Sequence, residues 1–391
     1  MGLNILLVSP NCAPSDVGGL RTLVYNLADF LSRKHHVTIM TFGTKEEPTL
    51  EGLIRYHYAR TTNLYAKKPL MKIRVTSLGT LRLLKKLLET GNEGKWDIVH
   101  CIDPLPAGLS VLIYKHVFRQ KFKYIVGPPT GYTYELKRFW FLRPWAKLVC
   151  EKSCGIIYSC YAMKRTLSSM LGVRHKNSIL IREGVDTTRF GPDLDMRSLR
   201  KRLNLYGRRV ILSVGRLGSP RKGFGFLLEA VSIVKKKYPN VALVLPGENP
   251  PRHLESTVKE LELDQNVFFT GFVPSEQLPY YYALSEVFVL ASIEDDRGVS
   301  ETYPLSALEA IASGKPVILT DVGGNAEIVR GNGFLVPQKD PKKIAEKILE
   351  LLENRELANK MGKKSREMAL KMDWRDITQR LEEFYLACAN L

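Results

Sequence analysis

The chain predicts an α/β protein made of two doubly wound domains. Three observations carry that expectation. Apolar runs of strand length alternate with helical patterns from end to end, the signature of parallel sheets wrapped by helices. The alternation divides into two series of about 180 residues, each the size of one domain. The composition, 45% hydrophobic and 25% charged over 391 residues, is ample for packed cores. In such folds ligands bind beyond the carboxyl ends of the strands, so a deep cleft between the two domains is the expected site.

In the first series strands are expected at 3–9, 36–42, 97–102 and 123–127, and helices at 19–33, 78–90 and 106–118. In the second, strands fall at 209–214, 241–246, 286–291 and 316–320, and helices at 223–237, 305–313 and 341–353. The domains are 1–186 and 187–373. The polar stretch Asp186 to Arg209, with Gly191-Pro192 and the charged residues 197–209, is expected as the linker. The last helix, 374–388, is amphipathic through Ile377, Leu381, Phe384 and Tyr385. That segment, 374–391, either closes the second domain or crosses back to the first.

Asn4 to Ser9 is read as a buried strand. It is too short for a signal sequence and follows no basic region. No run approaches the ~20 apolar residues of a membrane span. Gly2 is in no myristoylation context, since Leu6 stands where Ser or Thr is required. Of the six cysteines, Cys12, Cys101, Cys150, Cys154, Cys160 and Cys388, none forms a C-x-x-C pair. They read as reduced thiols of a cytoplasmic protein, with no metal site.

The net charge of +18 is unevenly spread. Residues 1–190 hold 29 Lys and Arg against 13 Asp and Glu; residues 191–391 hold 29 against 27. No acidic residue stands between Glu51 and Glu89, a window that carries Lys67, Lys68, Lys72, Arg74, Arg82, Lys85 and Lys86. An excess on this scale speaks to partners rather than to fold.

Three constellations carry chemistry. Glu301-Thr302-Tyr303-Pro304-Leu305 to Glu309 places two carboxylates, separated by seven residues, at the mouth of a helix. Pro304 suits a helix's first turn, Gly314 suits its end, and Pro316 forbids continuation. The free amides of that turn favour phosphate or hydroxyl-rich ligands. Gly215-Arg216 to Lys222-Gly223 follows a strand and precedes a helix, a cradle with two cations for two phosphates. Gly18-Gly19 follows the first strand and lets backbone approach a ligand closely. It is not G-x-G-x-x-G, and the acidic ribose partner expected after the second strand is not evident, which argues against a dinucleotide site. The bland alternatives are solvated carboxylates favoured by the helix dipole and an ordinary basic loop. Asp193-Leu-Asp195 sits in the expected linker and reads as solvated.

Together these residues resemble the retaining family-4 glycosyltransferases of the GT-B fold, two Rossmann-like domains, and the resemblance covers nearly the whole chain. Gly18-Gly19 is similar to the family's first glycine loop and His35 to Ile39 to its second strand. Glu183-Gly-Val-Asp186 to Phe190 resembles the segment leading into the second domain. Gly215 to Gly223 resembles the diphosphate motif, Phe269 to Val273 a loop near the nucleotide base, and Glu301 to Glu309 the E-x7-E signature, followed by Gly323-Gly-Asn-Ala-Glu327. Around Arg216 to Lys222 the pattern is close to the bacterial phosphatidylinositol mannosyltransferases.

The resemblance implies a metal-independent, retaining hexosyltransferase with no cofactor, whose nucleotide-diphosphate sugar is a substrate. Arg216 and Lys222 would hold the leaving diphosphate. Glu301 and the backbone of Thr302, Tyr303, Pro304 and Leu305 would hold the sugar. Glu309 would bind the ribose, Val273 would lie near the base, and Gly18 and Gly19 would approach the diphosphate. Cations and amides then neutralise the leaving charge. Two departures stand out. Gly127-Pro-Pro-Thr-Gly131 occupies the place where many relatives carry a His, leaving His100 either as its substitute or as a structural residue. Pro304 stands where Gly is usual and removes one amide.

The first domain is the acceptor side in this family and here it is the basic one. Lys137-Arg-Phe-Trp-Phe-Leu-Arg-Pro-Trp145-Ala-Lys147 interleaves aromatics with cations. That is either a membrane-interface pattern or a half-buried helix with solvated charges. The partners expected are a nucleotide-sugar donor, a sugar, lipid-linked or anionic acceptor, and an anionic membrane on its inner face, with no nucleic acid. Two rivals remain: a non-catalytic polyanion or nucleic-acid binder, and a nucleotide-sugar epimerase of the same fold. The first leaves Glu301 and Glu309 idle; the second would turn over donor without acceptor.

Overall fold

A computed structural model describes residues 2–10, 19–43, 49–51, 54–60, 69–90, 95–128, 131–296 and 298–390. The chain forms two compact units: Met1–Glu183 with Trp374–Leu391, and Gly184–Asp373. Each is built on one sheet.

The first sheet contains β1 (Asn4–Val8), β2 (His36–Gly43), β3 (Thr49–Glu51), β4 (Ile54–Arg60), β5 (Ile98–Cys101), β6 (Lys123–Val126), β7 (Gly155–Tyr158) and β8 (Ser178–Leu180). Their order is β3-β4-β2-β1-β5-β6-β7-β8, and all neighbours run parallel except β3 and β4. Strands buried on both faces need apolar residues at every position, and β1 supplies them from Ile5 to Val8, all 0% exposed. Leu6, Val8, Met40, Phe42, Val99 and Cys101 join Leu83, Leu87 and Val111 in one core. The alternate residues, including Ile5, Leu7 and His100, point to the other face. There Leu23, Val24 and Leu27 of the helix Gly19–Ser32 are buried, as are Ile377, Leu381 and Tyr385 of the helix Trp374–Ala389.

The second sheet contains β9 (Arg209–Leu212), β10 (Val241–Leu245), β11 (Val267–Phe269), β12 (Val287–Leu290), β13 (Val317–Thr320) and β14 (Gly333–Val336). It is wholly parallel, in the order β11-β10-β9-β12-β13-β14. The central strand β9 is followed by β10 on one side and β12 on the other. The order therefore reverses between β9 and β12, which is the switch point where such sheets bind ligands. Its core joins Ile211, Leu243, Val289 and Ile318 to Leu227, Val231 and Ile348 of the covering helices.

The expected strands and helices are present within a few residues, except that the second helix begins earlier, at Pro69. Six strands were not expected: β3, β4, β7, β8, β11 and β14. All but β4 are three or four residues long. The segment 186–209 is a folded part of the second unit rather than an open linker. Phe190 is 3% exposed, and Thr187 is bonded through its hydroxyl to Asp373 at 2.5 Å. Asp195 is exposed and paired with Arg197 at 2.7 Å, a solvated pair as read from the sequence. The five described cysteines are free thiols; Cys12 and Gly18 lie outside the described residues.

Candidate active site

The loops at the carboxyl ends of β9 and β12 are stitched together across the switch point. After β9 the chain makes a short 3-10 turn, Pro220–Lys222, and then the helix Phe224–Lys237. Gly223 joins them at φ 63°. A Cβ there would stand 1.9 Å from the carbonyl oxygen of Ala291, just past β12, so only glycine permits this approach. The amide of Ile293 donates to the carbonyl of Arg221 at 2.8 Å.

This contact brings Lys222 to Glu301. Nζ lies 2.9 Å from Oε1, with both side chains less than a fifth exposed. The hydroxyl of Ser292 donates to the same oxygen at 3.3 Å. Burial pushes the Glu301 carboxyl up, but Lys222, Arg221 and Ser292 outweigh it and hold the group below the ordinary carboxylate value. Glu301 is therefore ionised and its charge is matched inside the site. Gly323, past β13, lies so close that a Cβ would meet the Glu301 carbonyl oxygen at 1.7 Å.

Four residues on, the helix Leu305–Ala312 begins. Its buried face is Ala307, Leu308, Ala310, Ile311 and Ala312, a run of good helix formers. Pro304 is its N-cap rather than a first-turn residue: at ψ 117° it is extended, and its carbonyl accepts from Ala307 at 3.0 Å. The other end closes as expected. Lys315 N–H bonds Ala310 O and Gly314 N–H bonds Ile311 O, each at 3.1 Å, the paired bonds of a Schellman motif. Tyr303 turns its side chain inward; it is 2% exposed and its hydroxyl lies 3.9 Å from Met372 Sδ. Only its backbone is left to serve a ligand.

Glu309 is in a different environment from Glu301. Its Oε2 accepts from the Tyr282 hydroxyl at 2.6 Å. Burial pushes its carboxyl up to about 7, against the opposing pull of Tyr282 and of the Arg189 guanidinium. Arg189 is itself held by the Ser275 hydroxyl oxygen at 2.6 Å. Arg366 fastens this segment to the end of the Leu305–Ala312 helix, donating to Phe190 O and Ala312 O at 2.8 and 2.7 Å. A cation at that position also suits the helix dipole.

Of the sequence-predicted residues, Lys222 and Glu301 are brought into direct contact. Arg216 is exposed in the same loop, and its side chain has no partner among the described residues. Thr302 and Leu305 are half-buried beside the helix start. Val273 is half-buried just past β11, next to Phe272, which is 66% exposed. In the first unit Gly19 opens its helix and is exposed. Arg221, Ser292, Tyr282 and Arg189 were missed. Arg189 and Arg221 stand inside quoted motifs, whereas Tyr282 in Tyr280-Tyr281-Tyr282 looks like plain helix core.

His100 is no substitute for the missing His. It is 0% exposed and bridges the Gly127 carbonyl to the Tyr385 hydroxyl. Burial pushes it down to about 4, so it is neutral: Nε2–H donates to Gly127 O, and Nδ1 accepts from Tyr385 at 2.6 Å. It fastens the last helix to the first sheet.

Two family models match this chain in tandem. Glycosyltransferase Family 4 covers residues 17–189 and Glycosyl transferases group 1 covers residues 195–368. The chain belongs to this family of glycosyltransferases, and its two parallel sheets are those of the GT-B fold.

It is 35% identical over 210 residues to the GDP-mannose-dependent alpha-(1-6)-phosphatidylinositol monomannoside mannosyltransferase of Mycobacterium tuberculosis, across 51% of this chain and 54% of that one. The chain thus spans about half the length of the curated relatives it matches first. An uncharacterized glycosyltransferase of Methanocaldococcus jannaschii is 26% identical over 359 residues, 88% of this chain and 87% of that one. Among solved structures, sucrose-phosphate synthase from Thermosynechococcus elongatus superposes with a TM-score of 0.81 at 22% identity, covering 98% of both chains. HepE of Anabaena in complex with UDP gives 0.79 at 19%, over 98% of this chain and 100% of that one. At these identities the likeness is one of fold.

Proposed function

We propose that the protein is a retaining glycosyltransferase that moves a sugar from a nucleotide-diphosphate sugar to an acceptor hydroxyl. The observation that supports this most is the Lys222–Glu301 pair spanning the switch point of the second sheet. Lys222 and Arg216, with Arg221, neutralise the leaving diphosphate. Glu301 and the backbone from Thr302 to Leu305 hold the sugar, where the open first turn of the helix favours anionic and hydroxyl-rich ligands. Glu309 binds the ribose and Val273 lies at the base. Fixed cations and amides supply the leaving-group stabilisation that a metal gives elsewhere.

The bond from the acceptor oxygen to the anomeric carbon forms as the bond from that carbon to the diphosphate breaks, on the same face. The departing phosphate oxygen takes the acceptor's proton, so no protein base is required. Holding donor and acceptor together supplies much of the rate. The mycobacterial relative's name puts GDP-mannose first among donors to test, ahead of UDP-sugars. A nucleotide sugar that binds raises the melting temperature of the wild type by mass action. Glu309→Ala loses that rise while remaining folded; an unchanged rise removes Glu309 from the site. Donor turnover with no acceptor present points instead to an epimerase.

The acceptor in this reading is lipid-linked or otherwise anionic, reached at an anionic membrane surface. No helix among the described residues is long and apolar enough to cross a membrane. Trp140, Phe141 and Trp145 are 69%, 41% and 53% exposed on the first unit. Lys137, Arg138 and Lys147 are exposed among them. Aromatic and basic side chains presented together suit an interface. Flotation with anionic vesicles at low salt tests this, and failure to float counts against it.

A further inference from the structure

Tyr282 has no role in the transfer just described, yet it is the partner of Glu309. Its side chain is 0% exposed on the helix Leu278–Leu284. Phe190 meets its ring edge-on at 5.7 Å and Phe288 packs against it at 5.8 Å between centroids. A ring so clamped has one place for its hydroxyl, and that place is Oε2 of Glu309 at 2.6 Å. An ionised carboxylate accepts about four hydrogen bonds. One bond to a fixed donor removes the rotation of the group about its own axis and leaves the remaining lone pairs aimed in one direction. Arg189, next to Phe190 in sequence, contributes the positive charge that favours the ionised form.

We propose that Tyr282 is a positioning residue: it sets the plane of the Glu309 carboxylate so that its free lone pairs meet the two hydroxyls of the donor's ribose. This rests on the donor reading above. Its consequence is specificity. A correctly turned carboxylate distinguishes ribose from 2′-deoxyribose, because the missing hydroxyl leaves a charged acceptor unpaired. A carboxylate free to turn discriminates poorly.

The test is calorimetric binding of GDP and UDP, each beside its 2′-deoxy form, to wild type, Glu309→Ala and Tyr282→Phe. Phenylalanine keeps the ring, its volume and its contacts with Phe190 and Phe288. For the nucleotide that binds, the wild type is expected to favour the ribose form by roughly tenfold, the effect of one hydrogen bond to a charged group. Tyr282→Phe is expected to lose most of that preference while binding the 2′-deoxy form within about twofold of wild type. A purely structural tyrosine would weaken both forms equally, and that result, or an undiminished preference, overturns the proposal. A Glu309→Ala protein that keeps the preference overturns instead the placement of the ribose.

Discussion

The two sheets follow one plan and end differently. Both are parallel apart from the β3–β4 edge of the first, both reverse strand order beside their first strand, and both bury a titratable group near the carboxyl end of a central strand. In the first unit that group is His100, which is neutral and spends both nitrogens on Gly127 and Tyr385. In the second, Glu301 is ionised against Lys222 and Glu309 is pushed up by burial. A shared architecture provides a place for polar groups. Whether they are structural or available to a ligand depends on what packs over them. Over His100 lies a helix recruited from the far end of the chain.

The strongest way to break the contrast is to part the stitched loops of the second unit. Gly223→Ala places a Cβ 1.9 Å from the Ala291 oxygen in a backbone conformation that disfavours side chains. A loss of about 3 kcal/mol or more is expected, seen as a lower melting temperature together with loss of nucleotide-sugar binding. Lys222→Met comes next. It leaves Glu301 without its ion pair in a site less than a fifth exposed, and about 3 kcal/mol is expected by denaturant unfolding. Adding Glu301→Gln removes the stranded charge, so the double variant is expected to be more stable than Lys222→Met while still failing to bind donor.

The buried titratable groups sharpen the comparison through pH. His100 has a folded value near 4, below its ordinary 6.5. Its contribution to stability is present above pH 6.5 and is lost as pH falls towards 4. Glu309 has a folded value near 7, above its ordinary 4.5. Its contribution is present below pH 4.5 and is lost as pH rises through 7. Each is worth about 3 kcal/mol by linkage. His100→Gln, which keeps a donor and an acceptor, is expected to flatten the acid side of a melting-temperature profile, and Glu309→Gln the neutral side. A profile unchanged by either variant would place that group in water.

The smallest effect on stability belongs to the exposed aromatics of the first unit. Trp140→Ala with Trp145→Ala is expected to shift stability by no more than about 0.5 kcal/mol. The same double variant is expected to weaken flotation with anionic vesicles severalfold. Equal flotation would remove these side chains from the membrane reading.

Sequence alone determined the alternation of elements, because strands buried on both faces demand continuous apolar runs such as Ile5 to Val8. It also marked Lys222, Glu301 and Glu309, since glycine loops and helix starts are local features with local signals. Tertiary structure decided which of these groups meet. Lys222 and Glu301 are far apart in sequence, and only the reversal of strand order between β9 and β12 brings them to 2.9 Å. It also gave Tyr282 to Glu309 and buried His100 under Tyr385, 285 positions away. Such pairings depend on how distant segments pack, and a one-dimensional pattern carries no term for that.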